Sequence, residues 1–243
     1  MTRVIHVERD FIVLDKPAGL SVHPARATEV VQSGGRGAGV RGNTLTDWLS
    51  KKYPEVRRVG DDPAERPGIV HRLDKDTSGV MVVARNQKTF EGLKQLFKER
   101  RVEKTYLALA VGAPKKKSGV IAAPIGRLAA HPTKRGVGAH ARGARQAMTA
   151  YRVLERVGGY SLLAVKPQTG RTHQIRVHLK AIGCPVAGDK LYGGARAPLP
   201  GLGRQFLHAW RLEFSYPEGR RWQFEAALPE DLNAVLKRLR KLR

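Results

Sequence analysis

Two carboxylates, two basic groups and two hydroxyls lie in one short run of the sequence. The run is Pro67-Gly-Ile-Val-His-Arg-Leu-Asp-Lys-Asp-Thr-Ser-Gly79, and the apolar run Val80-Met-Val-Val-Ala84 follows it directly. Polar groups packed this densely beside a predicted core strand must bond to one another or to a ligand. An ionised aspartate placed there could attack an electrophile or accept a proton. The run is therefore either a catalytic loop or a capped turn that leads into a strand.

A second cluster of basic side chains follows a predicted strand. Its sequence is Lys166-Pro-Gln-Thr-Gly-Arg-Thr-His-Gln-Ile-Arg-Val-His178. Arg171, His173 and Arg176 are expected around the first turn of a helix that Thr172 could cap. Free backbone N–H groups at a helix start, together with arginine, form a site for an anion such as phosphate. The alternative is a basic helix face in solvent, and histidines without a nearby Cys or Glu are weak grounds for a zinc site.

The whole chain is strongly basic. Its 45 Lys and Arg residues outnumber 21 Asp and Glu residues, which gives a formal net charge of +24. Self-repulsion at this charge destabilises a compact fold, and a polyanion such as nucleic acid would offset it. A solubilising surface charge is the alternative. Nucleic-acid contacts are predicted at the anion site just described and in a segment at 131–146, which has no acidic residue and carries Lys134, Arg135, Arg142 and Arg145.

The sequence offers little support for a membrane-spanning segment or a metal site. No stretch approaches the roughly 20 apolar residues of a membrane-spanning helix, and the N-terminal residues lack the apolar core of a signal peptide. Cys184 is the single cysteine, which excludes an internal disulfide and a four-cysteine zinc site. A cytoplasmic protein without a bound metal is therefore expected.

The pattern of apolar residues predicts one α+β domain over residues 1–243. Strands are predicted at 3–14, 80–84, 106–111, 150–156 and 160–166, and helices at 43–53, 87–99, 173–182 and from about Asp231 onward. Asn43 or Thr44 could cap the first helix. A turn at 15–19 ends the first strand, and Lys16 either organises this turn or lies near phosphate. Glycine-rich segments at 26–42 and 131–146 are predicted as loops.

Five segments, in this order, resemble the motifs of the RluA-type pseudouridine synthases. They are Val13-Leu-Asp-Lys-Pro-Ala-Gly-Leu20, His71-Arg-Leu-Asp-Lys-Asp-Thr-Ser-Gly79, Glu103-Lys-Thr-Tyr-Leu-Ala-Leu109, Gly170-Arg-Thr-His-Gln-Ile-Arg-Val-His178 and Gly183-Cys-Pro-Val-Ala-Gly-Asp-Lys-Leu-Tyr192. Five ordered motifs of this length are highly specific, and the resemblance covers nearly the whole chain. It implies an α+β fold with a mixed, largely antiparallel central sheet flanked by helices and loops. It also implies that RNA binds in a basic cleft and that no cofactor takes part.

The resemblance further implies a reaction and roles for single residues. Such enzymes cleave the C1′–N1 bond of a uridine in RNA, turn the base and rejoin it through C5. Asp74 matches the essential aspartate, Tyr106 the tyrosine that stacks on the uracil, and Arg176 the basic residue paired with the aspartate. Arg72 matches the residue that helps to open the RNA around the target base.

Three functions are compatible with these residues. The first is an RNA pseudouridine synthase that acts as a monomer on ribosomal or transfer RNA. The second is a non-catalytic RNA-binding protein, which would not need Asp74, Tyr106 and Arg176 together. The third is a phosphate-ester hydrolase, which would need a metal-binding carboxylate cluster that the sequence does not reveal. Few residues precede the first predicted strand, so no N-terminal S4 RNA-binding module is expected, and the segments at 26–42 and 131–146 are expected to select the target.

Overall fold

The chain forms two compact units. The computed structural model describes residues 1–24, 44–129, 131–138, 141–194, 199–217 and 219–241, so the predicted loop at 26–42 lies outside the described residues. Unit 1 comprises Met1–Glu103 and Arg211–Ala226, and unit 2 comprises Lys104–Trp210 and Ala227–Arg243. Each unit therefore combines residues that are far apart in the sequence.

Unit 1 is built around an antiparallel sheet. Its strands are β1 (Arg3–Val7), β2 (Phe11–Lys16), β3 (Ser78–Ala84), the second half of β11 (Leu207–Ser215) and β12 (Arg221–Glu225). β2 pairs with β1 and with β3, and β12 pairs with β11. Nearly every residue of β2 and β3 is buried, as continuous apolar runs require.

The predicted strand at 3–14 is wrong in one respect, because it forms two strands that pair with each other. A turn separates β1 from β2, closed by a hydrogen bond from the Glu8 amide to the Phe11 carbonyl at 2.9 Å. The polar residues 8–10 interrupt the apolar pattern at this point, and polar side chains of this kind favour turns.

The helices of unit 1 begin at side-chain caps. They are α1 (Leu45–Lys52) and α2 (Gln87–Lys98), with a 3₁₀ turn at Pro54–Arg58. Thr44 caps α1 as predicted: its hydroxyl accepts from the Asp47 amide at 3.2 Å, and the Asp47 carboxylate accepts from the Thr44 amide at 3.0 Å. Asn86 caps α2 by accepting from the Thr89 amide at 2.9 Å. The predicted helix at 87–99 is therefore confirmed.

Unit 2 contains a second set of antiparallel strands. Its elements are β4 (Glu103–Val111), β5 (Ser118–Ala122), β6 (Ile125–Leu128), β7 (His131–Val137), β8 (Ala141–Arg145), β9 (Met148–Val157), β10 (Tyr160–Pro167), α3 (Gln174–Ala181), the first half of β11 and α4 (Glu230–Lys241). β4, β10, β9 and β5 are neighbours in that order. Ile175 and Leu179 of α3 pack in one buried cluster with Leu163 and Val165 of β10, which fixes α3 on these strands.

The predicted loop at 131–146 is wrong, because most of it forms strands β7 and β8. Both pair with β6 in a three-stranded antiparallel sheet. The segment has few apolar residues, so it lacks the alternating pattern by which a strand is recognised. Glycine permits the pairing, because a Cβ atom at position 126 would lie only 2.6 Å from the carbonyl oxygen of Arg142, which is too close.

Helix α3 begins one residue later than the predicted cap implies. Its N-cap is His173 rather than Thr172, and His173 has a left-handed backbone with a φ of 57°. The helix predicted at 173–182 ends at Ala181, and Ile182, which follows it, is 37% exposed. The C-terminal amphipathic helix is confirmed as α4, with Leu232, Val235, Leu236 and Leu239 buried. The α+β class with a mixed, largely antiparallel sheet is confirmed as well.

Candidate active site

Asp74 lies in a tight turn of unit 1 that leads into β3. The carbonyl oxygen of Asp74 accepts a hydrogen bond from the Thr77 amide at 3.1 Å. Asp74 and Asp76 are both half-buried, whereas Arg72 is exposed. The turn therefore holds a carboxylate at the surface of the unit, where a ligand could reach it, and Arg72 in the same segment is exposed.

Lys16 ties this turn to the end of β2. Its ammonium group is fully buried and donates to the carbonyl oxygens of Pro17 at 2.8 Å, Leu20 at 2.9 Å and Lys75 at 3.0 Å. Lys75 directly follows Asp74. The backbone beside the candidate catalytic carboxylate is therefore fixed by a residue that lies 59 positions away in the sequence. Lys16 organises the turn, and its burial rules out the alternative position near phosphate.

The segment that enters the Asp74 turn is docked on β3. The Nε2 atom of His71 accepts from the Val82 amide at 3.0 Å, and its ring stacks on Phe97 with centroids 4.6 Å apart. Gly68 has a φ of 69°, and a side chain there would press against the carbonyl oxygen of Ala84. These contacts give His71 a structural role in docking the segment on β3.

Arg176 of unit 2 forms a buried, two-pronged pair with Asp189. Its Nε donates to Asp189 Oδ2 at 2.7 Å and a terminal nitrogen donates to Oδ1 at 2.9 Å, with the two side chains 8% and 0% exposed. Burial by itself opposes the charge of Asp189, but the hydrogen bonds and charge of Arg176, with the Tyr192 and Leu191 amides, lower its pKa below the ordinary value. Both groups are therefore charged at neutral pH. Sequence reasoning missed Asp189, although the motif ending at Tyr192 contains it. The pairing of Arg176 with Asp74 stays a prediction.

Gln174 connects the start of α3 to the strands beneath it. Its side-chain oxygen accepts from the Thr169 hydroxyl at 2.6 Å and the Arg171 amide at 3.0 Å. Its side-chain nitrogen donates to the Met148 carbonyl and the Thr149 hydroxyl, both at 2.9 Å. A buried amide with all these bonds fixes the loop that carries Arg171 and the helix that carries Arg176.

His178 completes this buried network. Its Nε2 lies 2.9 Å from the Ala123 carbonyl, which can only accept, so Nε2 carries the proton. Its Nδ1 then accepts from the Thr149 hydroxyl at 2.8 Å. Burial lowers the pKa of His178, and the bond to Ala123 only partly opposes this. His178 is therefore a neutral structural residue.

Tyr106 lies on β4, and its side chain packs against a buried apolar cluster. It is half-buried, its Cα is paired with that of Val165 on β10, and its side chain packs against the cluster that contains Ala108 and Leu163. A ring held in this way is a platform against which a base could stack.

The three-stranded sheet carries a row of arginines. Cα pairing places Arg127 of β6 opposite Arg135 of β7 and opposite Arg142 of β8, and we call these three residues the arginine row. Arg127 and Arg142 are exposed, and Lys134 and Arg145 lie on the same sheet. Like charges opposite one another on paired strands are destabilising, and a polyanion would relieve the repulsion. Arg127 lies before the segment singled out from the sequence and was missed for that reason.

The described residues show neither a cluster of metal ligands nor a membrane-spanning helix. No group of three or more His, Cys, Asp or Glu side chains in that part of the chain is placed to hold a metal ion. None of the helices that the structure describes is long and apolar enough to cross a membrane.

Comparison with known proteins identifies related chains. Residues 10–181 match the family model described as RNA pseudouridylate synthase. The chain is 45% identical over 226 residues to a protein of Chloroflexus aurantiacus named as an RNA pseudouridine synthase, with 93% of this chain and 65% of that protein covered. It is 41% identical over 248 residues to the ribosomal large subunit pseudouridine synthase D of Nitrosomonas europaea, with 99% and 66% covered. The chain thus spans slightly less than two thirds of these relatives.

Two solved structures share the fold over nearly the whole chain. One is human RNA pseudouridylate synthase domain containing 1, with a TM-score of 0.73, 26% identity and 99% of this chain and 95% of that chain covered. The other is human RNA pseudouridylate synthase domain containing 4, with a TM-score of 0.73, 29% identity and 98% and 93% covered.

Proposed function

Because this chain belongs to the RNA pseudouridylate synthase family, we propose that it converts uridines within RNA to pseudouridine. The C1′–N1 bond of the uridine breaks, the base turns, and a C1′–C5 bond forms while C5 loses its proton and N1 gains one. The product has the same atoms and oxidation state as the substrate, so the reaction needs neither a redox partner nor a cosubstrate.

The observation that carries the proposal is the Asp74 turn. The carboxylate is half-buried in a turn that the buried Lys16 holds by its backbone. A fixed carboxylate of this kind can attack the sugar or the uracil, or remove a sugar proton so that the base leaves. We assign the catalytic role to Asp74 and a structural role to Asp76.

Tyr106, Arg72 and Arg176 support this carboxylate in the proposal. The ring of Tyr106 stacks on the turned-out uracil, and such stacking contributes about 1–3 kcal/mol per base. Turning the base out costs a few kcal/mol, which the exposed Arg72 reduces by filling the vacated stack. Arg176 supplies the positive charge that keeps the catalytic carboxylate ionised.

RNA is bound in the proposal by the basic side chains of unit 2. Arg171 and His173 contact phosphate at the start of α3, and Lys134, Arg145 and the arginine row contact it on the three-stranded sheet. Binding should weaken with salt at a log–log slope of about −0.7 per phosphate contact on single strands. A flat response between low and physiological salt would contradict this RNA-binding surface.

Large-subunit ribosomal RNA is the proposed target, because relatives such as the Nitrosomonas protein are named for it. Transfer RNA is the alternative outcome. We also propose that the chain acts in the cytoplasm as a monomer and as one catalytic domain.

The test is tritium release from RNA that carries 5-tritiated uridine, followed by pseudouridine mapping of total RNA from cells with and without the protein. We expect release by the wild-type protein and loss of pseudouridine at defined positions of large-subunit RNA in its absence. Binding of RNA without release from any ribosomal or transfer RNA would instead identify a non-catalytic RNA-binding protein.

A further inference from the structure

Tyr192 is packed between the three-stranded sheet and α3 within unit 2. It is only 4% exposed. Its ring belongs to a buried apolar cluster with Ile125 of β6 and Val177 of α3, and Val137 of β7 packs against the same cluster. The ring therefore contacts both the sheet that carries the arginine row and the helix that carries Arg176.

The hydroxyl of Tyr192 joins the same two elements by hydrogen bonds. It accepts from the Arg135 backbone amide at 2.9 Å and lies 2.8 Å from Nδ1 of His173. Burial raises the pKa of Tyr192, so the phenol keeps its proton and can donate it to His173. His173 has a left-handed φ of 57°, which is uncommon for a residue with a side chain, and this hydrogen bond helps to hold its ring in place.

The face of the Tyr192 ring also contacts Arg176. The guanidinium carbon lies 5.0 Å from the ring centroid, a distance suited to a cation–π interaction. Asp189 holds the guanidinium by two hydrogen bonds, and its Oδ1 also accepts from the Tyr192 amide at 3.0 Å. Asp189 and Tyr192 therefore form one short segment that positions Arg176.

We propose that Tyr192 is a positioning residue that couples RNA bound on the arginine row to the placement of His173 and Arg176. RNA phosphates that bind the row restrain β7, the Arg135 amide restrains the Tyr192 hydroxyl, and the hydroxyl and ring together restrain the first turn of α3. The inference rests on the proposed function, because it assumes that the arginine row binds RNA and that Arg176 serves the reaction.

Two substitutions separate the hydroxyl from the ring. Tyr192→Phe keeps the packing and the face towards Arg176 but removes the bonds to Arg135 and His173. We expect it to raise KM for RNA about fivefold while kcat stays within about threefold of wild type, since one ground-state link is lost. Tyr192→Leu also removes the cation–π contact, and kcat should fall at least about tenfold further. Tyr160→Phe, on β10, is the control and should change neither constant.

Hydrogen exchange tests the coupling without relying on activity. In Tyr192→Phe, the segments 131–137 and 171–175 should both exchange faster than in wild type, whereas Tyr160→Phe should leave them unchanged. Unchanged exchange in both segments, or an unchanged KM, would overturn the proposal. Equal loss of kcat in Tyr192→Phe and Tyr192→Leu would also overturn it, because the hydroxyl and ring would not be separable. An inactive wild-type protein would refute the proposed function, and exchange alone would then decide the coupling.

Discussion

The Asp74 turn of unit 1 and the Arg176 cluster of unit 2 are held in different ways. The turn is fixed through its main chain, by the Lys16 ammonium on the Lys75 carbonyl oxygen and by the Thr77 amide on the Asp74 carbonyl oxygen. The cluster is fixed through side chains. Arg176 is hydrogen-bonded to Asp189, and Gln174 is hydrogen-bonded to two buried threonine hydroxyl groups. The Asp74 carboxylate is half-buried, whereas Arg176 is almost completely buried.

This difference separates two ways in which a site can be prepared. A turn that is fixed by its backbone keeps its half-buried carboxylate in one place at the surface of unit 1, where a substrate could reach it. The Arg176 guanidinium is restrained by a two-pronged, almost completely buried pair, because moving it away from Asp189 would leave two buried charges unpaired. We therefore infer that the Asp74 turn provides the catalytic carboxylate. The Arg176 cluster provides a fixed positive charge and contacts with RNA.

The largest effect is expected at Asp74. Asp74→Asn keeps the shape of the side chain and removes the charge, so turnover should fall by at least about a thousandfold while RNA binding stays within about tenfold. Tritium release from 5-tritiated uridine in RNA measures turnover. Asp76→Asn is the matched control, because Asp76 is assigned a structural role in the same turn. Rapid tritium release by Asp74→Asn would show that the turn does not provide the catalytic carboxylate.

A large effect on stability is expected at Gly68, which docks the Asp74 turn on β3. A side chain at its φ of 69° is unfavourable and would meet the Ala84 carbonyl oxygen, so Gly68→Ala should lower the free energy of unfolding by at least about 2 kcal/mol. Gly203→Ala has open space around it and an ordinary φ, and it serves as control. Denaturant unfolding measures both. Equal stability of the two variants would show that backbone docking does not fix the turn.

Arg176→Lys should change turnover more than binding. Lysine keeps the charge but cannot form the two parallel bonds that Asp189 accepts from the guanidinium. We expect kcat to fall at least about tenfold and the dissociation constant of RNA to change less. Arg171→Lys is the comparison, because Arg171 is assigned to phosphate contact, where a lysine suffices. Normal turnover in Arg176→Lys would show that the two-pronged geometry is not needed.

The smallest effect concerns pH and His178. Burial lowers the pKa of His178 from its ordinary value of 6.5, so the unfolded chain binds a proton more readily than the folded one. The free energy of unfolding should therefore decrease as the pH falls below about 6.5. His178→Gln cannot titrate, so its unfolding free energy should depend less on pH over this range. Parallel pH profiles for both proteins would contradict the neutral, buried histidine.

Sequence reasoning was most successful where a feature depends on neighbouring residues. It predicted α2 and α4 from their apolar stripes and the Asp74 turn from its dense polar run before β3. It missed contacts between distant residues, such as Lys16 with the Lys75 carbonyl and Arg176 with Asp189. The pattern of neighbouring residues does not specify which atom, distant in the sequence, a buried charged group will bind.

Strands β7 and β8 were missed for a related reason. Their glycines and arginines have low strand preference, and their pairing with β6 and their packing towards Val177 and Tyr192 override it. The same packing placed Arg127 beside Arg135 and Arg142, so the arginine row could be found only once the sheet was known. The catalytic and RNA-binding assignments remain predictions.

Single-turnover kinetics at saturating RNA, with binding measured in parallel, test the central claim most directly. The variants are Asp74→Asn and the double variant Arg127→Gln/Arg142→Gln. We predict that the double variant binds RNA more weakly, with a log–log salt slope smaller in magnitude by about 1.4. Its bound RNA should nevertheless react within about threefold of the wild-type rate. Asp74→Asn should show the reverse, with RNA bound but not converted. Loss of the bound-state rate in the double variant, or parallel loss of binding and rate in Asp74→Asn, would contradict the account.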